Sequence, residues 1–244
     1  MKKVVLITGG SRGIGKATAE VFAKNGYSVA INCFANKDRA EETVRYLRDN
    51  GGEAICVPAD VASEEQVMNM VHNVRKAFGR IDILVNNAGI SQQKLFTDIT
   101  PEEWRRMFAV HVDGTFHCCR AVLPDMIFRK SGKIINLSSI WGIVGASCEV
   151  HYSAAKSAVI GLTKALAKEV GPSGITVNCV APGVINTDMN ATLDDDTLTS
   201  LKEETPLCRL GTAKEIAEII CFLASENADF ITGQVISPNG GFVI

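Results

Sequence analysis

The sequence predicts a single-domain, doubly wound α/β fold, in which a mainly parallel seven-stranded sheet carries helices on both faces. Short apolar runs alternate with longer stretches of helical period from one end of the chain to the other. Several runs are apolar at successive positions, the pattern of strands buried on both faces. No Pro/Gly/Ser linker, internal repeat or low-complexity tract divides the 244 residues, and a chain of that length can bury most of its apolar surface in one core.

The first strand is Val4-Val5-Leu6-Ile7, followed by a helical stretch from about Ile14. Val29-Ala30-Ile31 is the second strand, with a helix from about Lys37, and Ile55-Cys56-Val57 is the third. Ser63-Glu64-Glu65-Gln66 reads as a capping box that opens the next helix. After the strand Ile83-Leu84-Val85, Pro101 suits the first turn of a long helix, because its fixed φ and missing N–H cost nothing there. Ile134-Ile135-Asn136-Leu137 and Thr176-Val177-Asn178-Cys179-Val180 flank a helix from about His151. Helices from about Asp194 and Ala213 precede the last strand, Gln234-Val235-Ile236. The polar segment from Thr187 to Pro206, with its Asp194-Asp195-Asp196 trio, reads either as a solvated helix start or as a mobile segment covering a ligand.

Composition excludes several classes of function. Hydrophobic residues make up 46 % and the net charge is −2, so the chain is too apolar for disorder. Without a basic run of five or more it lacks the positive field that non-specific nucleic-acid binding needs. The four-residue apolar run after Lys3 is too short for a signal peptide or a membrane span, so a soluble cytoplasmic protein is expected. The eight cysteines form no C-x-x-C pair and read as small buried hydrophobes with free thiols. His72, His111, His117 and His151 show no ligand spacing, so no metal is expected.

The first strand runs directly into Thr8-Gly9-Gly10-Ser11-Arg12-Gly13-Ile14-Gly15, and a helix follows at once. Absent side chains let the backbone approach a pyrophosphate, and the helix start offers free N–H groups and a positive dipole end. The glycine spacing is G-x-x-x-G-x-G. With Asn86-Asn87-Ala88-Gly89, Ser139, Tyr152-x-x-x-Lys156 and Pro182-Gly183 following in order, the chain resembles the short-chain dehydrogenase/reductase family, whose Rossmann-type domain binds a nicotinamide dinucleotide. The resemblance implies that Asp60 and Val61 flank the adenine, that Asn87 holds the ribose side, and that Ala88 and Gly89 also bind the cofactor. It further implies that Ile185 and Thr187 meet the nicotinamide carboxamide, and that Pro182, Gly183, Tyr152 and Lys156 also bind the cofactor. The end of the second strand, Asn32 to Asn36, holds no carboxylate to grip a ribose 2′-hydroxyl, and Arg12 suits a 2′-phosphate. NADPH is therefore the expected cofactor.

Tyr152 and Lys156 stand four apart on one helical face, so an ammonium lies near the phenol and is expected to favour the phenolate. Ser139, just beyond a central strand, is placed to hydrogen-bond a substrate oxygen as charge develops. The family's fourth site residue is an asparagine that bends a helix and holds water leading to the lysine; here that position is His111. The imidazole either relays the proton or leaves that route slower or pH-dependent, and activity is expected to be retained.

Two narrower resemblances bear on the substrate. Ala181-Pro182-Gly183-x-Ile185-x-Thr187-Asp188-Met189 and Ile231-Thr232-Gly233-Gln234 are similar to 3-oxoacyl-[acyl-carrier-protein] reductases. Ser138-Ser139-Ile140-Trp141-Gly142 and Gly145-Ala146-Ser147-Cys148-Glu149-Val150 are similar to elongation factor P 5-aminopentanone reductases. Glu149, one turn before Tyr152, suits a substrate ammonium, with Cys148 on the same wall, so the aminoketone is the expected substrate and the 3-oxoacyl group its alternative. An acidic carrier protein wants a basic patch, for which Arg129 and Lys130 are candidates. A catalytically impaired NADP-binding regulator, marked by His111, is the reading from a different class. The family resemblance also implies a homotetramer built on the long helices after Pro101 and His151 and on the last strand, with Leu162, Ala165 and Leu166 fitting such faces.

Overall fold

A computed structural model describes residues 2–188 and 194–244. In chain order the first half comprises β1 (Val4–Ile7), α1 (Gly13–Lys24), β2 (Ser28–Cys33), α2 (Lys37–Asp49), β3 (Glu53–Pro58), α3 (Glu64–Phe78), β4 (Ile83–Asn86), α4 (Pro101–Phe108) and α5 (Gly114–Arg129). The second half comprises β5 (Gly132–Leu137), α6 (Trp141–Val144), α7 (Val150–Val170), β6 (Ile175–Val180), β7 (Ile185–Asn186), α8 (Asp195–Glu204), β8 (Gly211–Thr212), α9 (Ala213–Ala224) and β9 (Val235–Ile236). Seven strands form one parallel sheet in the order β3-β2-β1-β4-β5-β6-β9. The chain winds outward from β1 in both directions, which opens a crevice at the carboxyl ends of β1 and β4.

The alternation of Cβ directions distributes each strand between two cores. Val4 and Leu6 of β1 pack with Val67 and Met70 of α3 and with Cys118 and Val122 of α5. Val5 and Ile7 face the other way, toward Phe22 of α1, Leu47 of α2 and Ile220 of α9. All four β1 side chains are buried, which is why the run reads as continuously apolar. A fully buried aliphatic side chain of this kind contributes about 1.5–3 kcal/mol.

All seven expected strands are present. Ser63 accepts from the Gln66 N–H, but the Gln66 side chain accepts from the Asp60 N–H instead of returning to Ser63, so that capping box is half formed. Complete boxes open α4 (Thr100, Glu103) and α9 (Thr212, Glu215). The long helix after Pro101 is not continuous, because Ala109–Asp113 forms a π-helical turn between α4 and α5. A small parallel ribbon, β7 with β8, was too short to read from periodicity. Asp194 caps α8 by accepting from the Thr197 N–H, as a helix start should; residues 189–193 of the expected ligand-covering segment lie outside the described residues. Among the described residues no helix is long and apolar enough to cross a membrane.

Candidate active site

The glycine loop between β1 and α1 is fastened from behind. Thr8 Oγ1 accepts from the N–H groups of Asn87 and Ala88, and the Asn87 amide donates to the carbonyls of Thr8 and Gly9 at 2.9 and 3.0 Å. Asn32 donates to the carbonyls of Cys33, Val57 and Ala59, while its own carbonyl accepts from the Gly10 N–H. Both asparagines thus hold the loop that would hold a ligand. Gly9 adopts φ +65°, and a Cβ there would stand 2.9 Å from Ala88 Cα. A Cβ on Gly15 would strike the Gly9 carbonyl and lie 2.6 Å from Asn87 Nδ2. The N-terminus of α1 has no side-chain cap and no acidic residue in its first turn, which leaves its N–H groups free for an anion.

The groove beside this loop, about 270 Å³ in volume, offers the free helix N–H groups and the cation that suit a dinucleotide's phosphates. Its walls include Gly9, Ser11, Arg12, Gly13, Ile14 and Gly15. Asn32, Asp60, Val61, Asn87, Ala88, Gly89 and Thr187 complete the predicted set there. Asp60 pairs with Arg106 at 3.0 Å, and the same guanidinium lies over the Phe34 ring. Sequence reasoning missed Arg106 because nothing in its local spacing ties it to the groove.

A second crevice of about 700 Å³ adjoins the groove, with Ile14 and Thr187 lining both. Ser139, Tyr152, Glu149, Pro182, Gly183 and Ile185 lie on its wall. Trp141 and Phe242, in an edge-to-face contact at 5.7 Å, and Thr197, Leu201 and Glu204 of α8 complete it. Cys148 does not line the crevice, contrary to expectation. It adopts a left-handed turn, φ +61°, and its carbonyl accepts from the Lys94 N–H, so its part is to tie the Lys94 loop to the start of α7.

Ser139 and Tyr152 share one wall of the crevice, close enough for the serine hydroxyl to act on the phenol. The Trp141 N–H donates to Ser139 Oγ, which orients the hydroxyl. Lys156 is buried, and its Nζ donates to the Leu137 carbonyl at 2.8 Å while lying 5.6 Å from the centre of the Tyr152 ring. Burial pulls the lysine down to about 8. It pushes the Tyr152 phenol up, against the smaller effect of the Ser139 hydroxyl. The expected lowering of the phenol by the ammonium does not appear: desolvation of a phenolate governs the group, and the Glu149 charge adds to the rise.

His111 sits inside the π-helical turn and is buried beside Tyr152, ring edge to ring face at 5.4 Å. Its Nε2 lies 2.8 Å from the Ile90 carbonyl oxygen, and Nδ1 has no partner among the described residues. Burial, reinforced by the Lys156 charge, holds the imidazole well below its ordinary range, so it is neutral at pH 7. Its carbonyl accepts from Thr115 Oγ1. His151, buried at the start of α7, contacts Gln92 Oε1 at 3.0 Å, and Gln92 in turn donates to Glu103. That chain braces the crevice wall and was invisible in sequence, since its members are far apart.

Arg129 and Lys130 do not border either crevice. They end α5 just before β5 starts, at the opposite end of the sheet, where Arg129 is held by Asp82, Asp125 and the Ile81 carbonyl. All eight cysteines are unpaired. No group of three His, Cys, Asp or Glu side chains among the described residues could hold a metal ion.

Comparison with known proteins agrees with this geometry. The family model described as Enoyl-(Acyl carrier protein) reductase matches residues 9–243. The chain is 44 % identical over 241 residues to a 3-oxoacyl-[acyl-carrier-protein] reductase of Staphylococcus epidermidis, covering 99 % of both chains. It is 42 % identical over 243 residues to the protein of that name from Synechocystis, covering 99 % of this chain and 97 % of the relative. A Vibrio cholerae relative, also named as such a reductase, is 42 % identical over 240 residues, covering 98 % and 96 %. The chain belongs to the short-chain dehydrogenase/reductase family and is a nicotinamide-dependent oxidoreductase acting on ketone and hydroxyl groups.

Proposed function

We propose that the protein uses NADPH to reduce a ketone presented on a carrier protein, and that a 3-oxoacyl thioester on acyl carrier protein is that ketone. The observation that carries the chemistry is the placement of Ser139 and Tyr152 together on a crevice wall contiguous with the dinucleotide groove. When bound, NADPH supplies the hydride. Ser139 donates a hydrogen bond to the carbonyl oxygen, and Tyr152 transfers its proton to that oxygen as negative charge grows there. A phenol kept protonated by burial is in the correct form for that step. Lys156, with a pKa of about 8, exchanges protons readily near neutral pH and returns one to the tyrosine. The preference for NADPH rests on Arg12 in the groove wall and on the absence of a carboxylate between Asn32 and Asn36. The names of the relatives support the 3-oxoacyl substrate.

A second reading, the 5-aminopentanone group on elongation factor P, is favoured by the charge of the substrate crevice. Among the described residues its charged lining consists of Glu149 and Glu204, with no cation. Burial raises the Glu149 carboxyl, and a substrate ammonium would offset that cost. NADPH oxidation measured with acetoacetyl-acyl carrier protein and with 5-aminopentanone-modified elongation factor P separates the two. Turnover of the thioester alone establishes the first reading. Turnover of the aminoketone alone, with KM raised in Glu149→Gln, establishes the second. Failure with both carriers and with any activated ketone leaves the impaired regulator. We further propose a homotetramer: the exposed Phe128 on α5 and Phe230 before β9 suit subunit contacts, and light scattering showing a monomer refutes this.

A further inference from the structure

Two guanidinium groups converge where the groove meets the start of α2, and one carboxylate of the same chain is seated between them. Arg39 Nη1 donates to Asp188 Oδ2 at 2.9 Å, and Arg12 Nη1 lies 3.9 Å from the same oxygen. Arg12 and Asp188 both line the dinucleotide groove, and so does Asn36, the N-cap residue of α2, which makes no side-chain capping bond. All three charged side chains are more than half exposed, so an ion arriving from solvent can reach them. Asp188 directly follows Thr187, which lines both crevices.

We infer that Asp188 is a built-in competitor of the cofactor's 2′-phosphate for Arg12 and Arg39. The inference rests on the NADPH reading and deepens it. Asp188 brings one negative charge and one contacting oxygen to two cations. A phosphate monoester brings close to two charges and three acceptor oxygens, so it satisfies both forks more fully and displaces the carboxylate. A dinucleotide without the 2′-phosphate has nothing to exchange for Asp188 and leaves the pair in place. The aspartate therefore lowers affinity for the phosphorylated cofactor alone, by about two- to five-fold, the range of an exposed ion pair.

Calorimetric titration of the wild-type protein and the Asp188→Asn and Arg39→Ala variants with NADP and NAD tests this. Asp188→Asn is expected to lower the Kd for NADP two- to five-fold with the Kd for NAD unchanged. Arg39→Ala is expected to raise the Kd for NADP and, combined with Asp188→Asn, to erase most of the gain. A wild type that prefers NADP, paired with an Asp188→Asn variant whose NADP affinity is unchanged or weaker, overturns the competitor while sparing the cofactor assignment. Equal wild-type affinity for NADP and NAD overturns both.

Discussion

Replacing Lys156 with methionine, which is close in length but carries no charge, tests the electrostatics on which the proton-transfer site depends. The lysine is buried, its pKa is about 8 against an ordinary 10.5, and its ammonium donates to the Leu137 carbonyl. Below pH 8 the folded and unfolded chains both carry this proton, so the group adds no pH dependence to stability. Between pH 8 and 10.5 the unfolded chain binds the proton and the folded chain does not, so wild-type stability rises with pH through this group. Each unit is worth 1.36 kcal/mol, which gives about 2–3 kcal/mol between pH 7 and pH 10. Lys156→Met has no such titration. Its stability relative to wild type should therefore fall by about that amount across the interval, whatever constant cost the orphaned Leu137 carbonyl adds. Urea denaturation of both proteins without cofactor, at several pH values from 7 to 10, measures the difference directly. A stability difference that stays flat over that range would refute the claim that burial depresses the lysine, and with it the proposed proton return to Tyr152.

Three other substitutions have defined outcomes. Tyr152→Phe should cut kcat/KM for ketone reduction by about 10²–10⁴ and leave the Kd for NADPH within about two-fold; retained turnover would remove the phenol from the reaction. Gly15→Ala drives a methyl group into the Gly9 carbonyl and toward Asn87, so it should cost about 1–3 kcal/mol of stability and weaken NADPH binding at least about ten-fold by calorimetry. His111→Asn keeps a side chain able to bond Ile90, so turnover should stay within about five-fold of wild type. A many-fold gain with unchanged circular dichroism would mark the histidine as a handicap instead of a working replacement.

The central strands were legible because they are buried on both faces and so are written as near-continuous apolar runs, as in Val4 to Ile7 and Ile83 to Val85. The loop was legible because backbone approach demands glycine at fixed positions. What stayed hidden depends on contacts between distant residues. Arg106 meets Asp60, Arg39 meets Asp188 and Gln92 meets His151 only once the sheet has brought their loops to one edge. Arg129 belongs with them: its sequence neighbourhood is basic, and its pairing with Asp82 emerges only in the fold. The phenol's environment was misjudged because spacing reveals the nearby ammonium and says nothing about how far water is excluded. The β7–β8 ribbon, two residues per strand, is shorter than any period.

The wide turn at Ala109–Asp113 lets one rod serve two masters. A π-helical turn spends an extra residue on each circuit, so the segment before it and the segment after it are out of angular step by roughly 100°, one residue's rotation. Met107, upstream, points into the small cluster with Tyr152, whereas Cys118 and Val122, downstream, point into the main core beneath the sheet. Excising a single amino acid there would resynchronise the rod, and no rotation could then satisfy both ends at once. The bulge that houses His111 is thus also the splice that reconciles two incompatible phases.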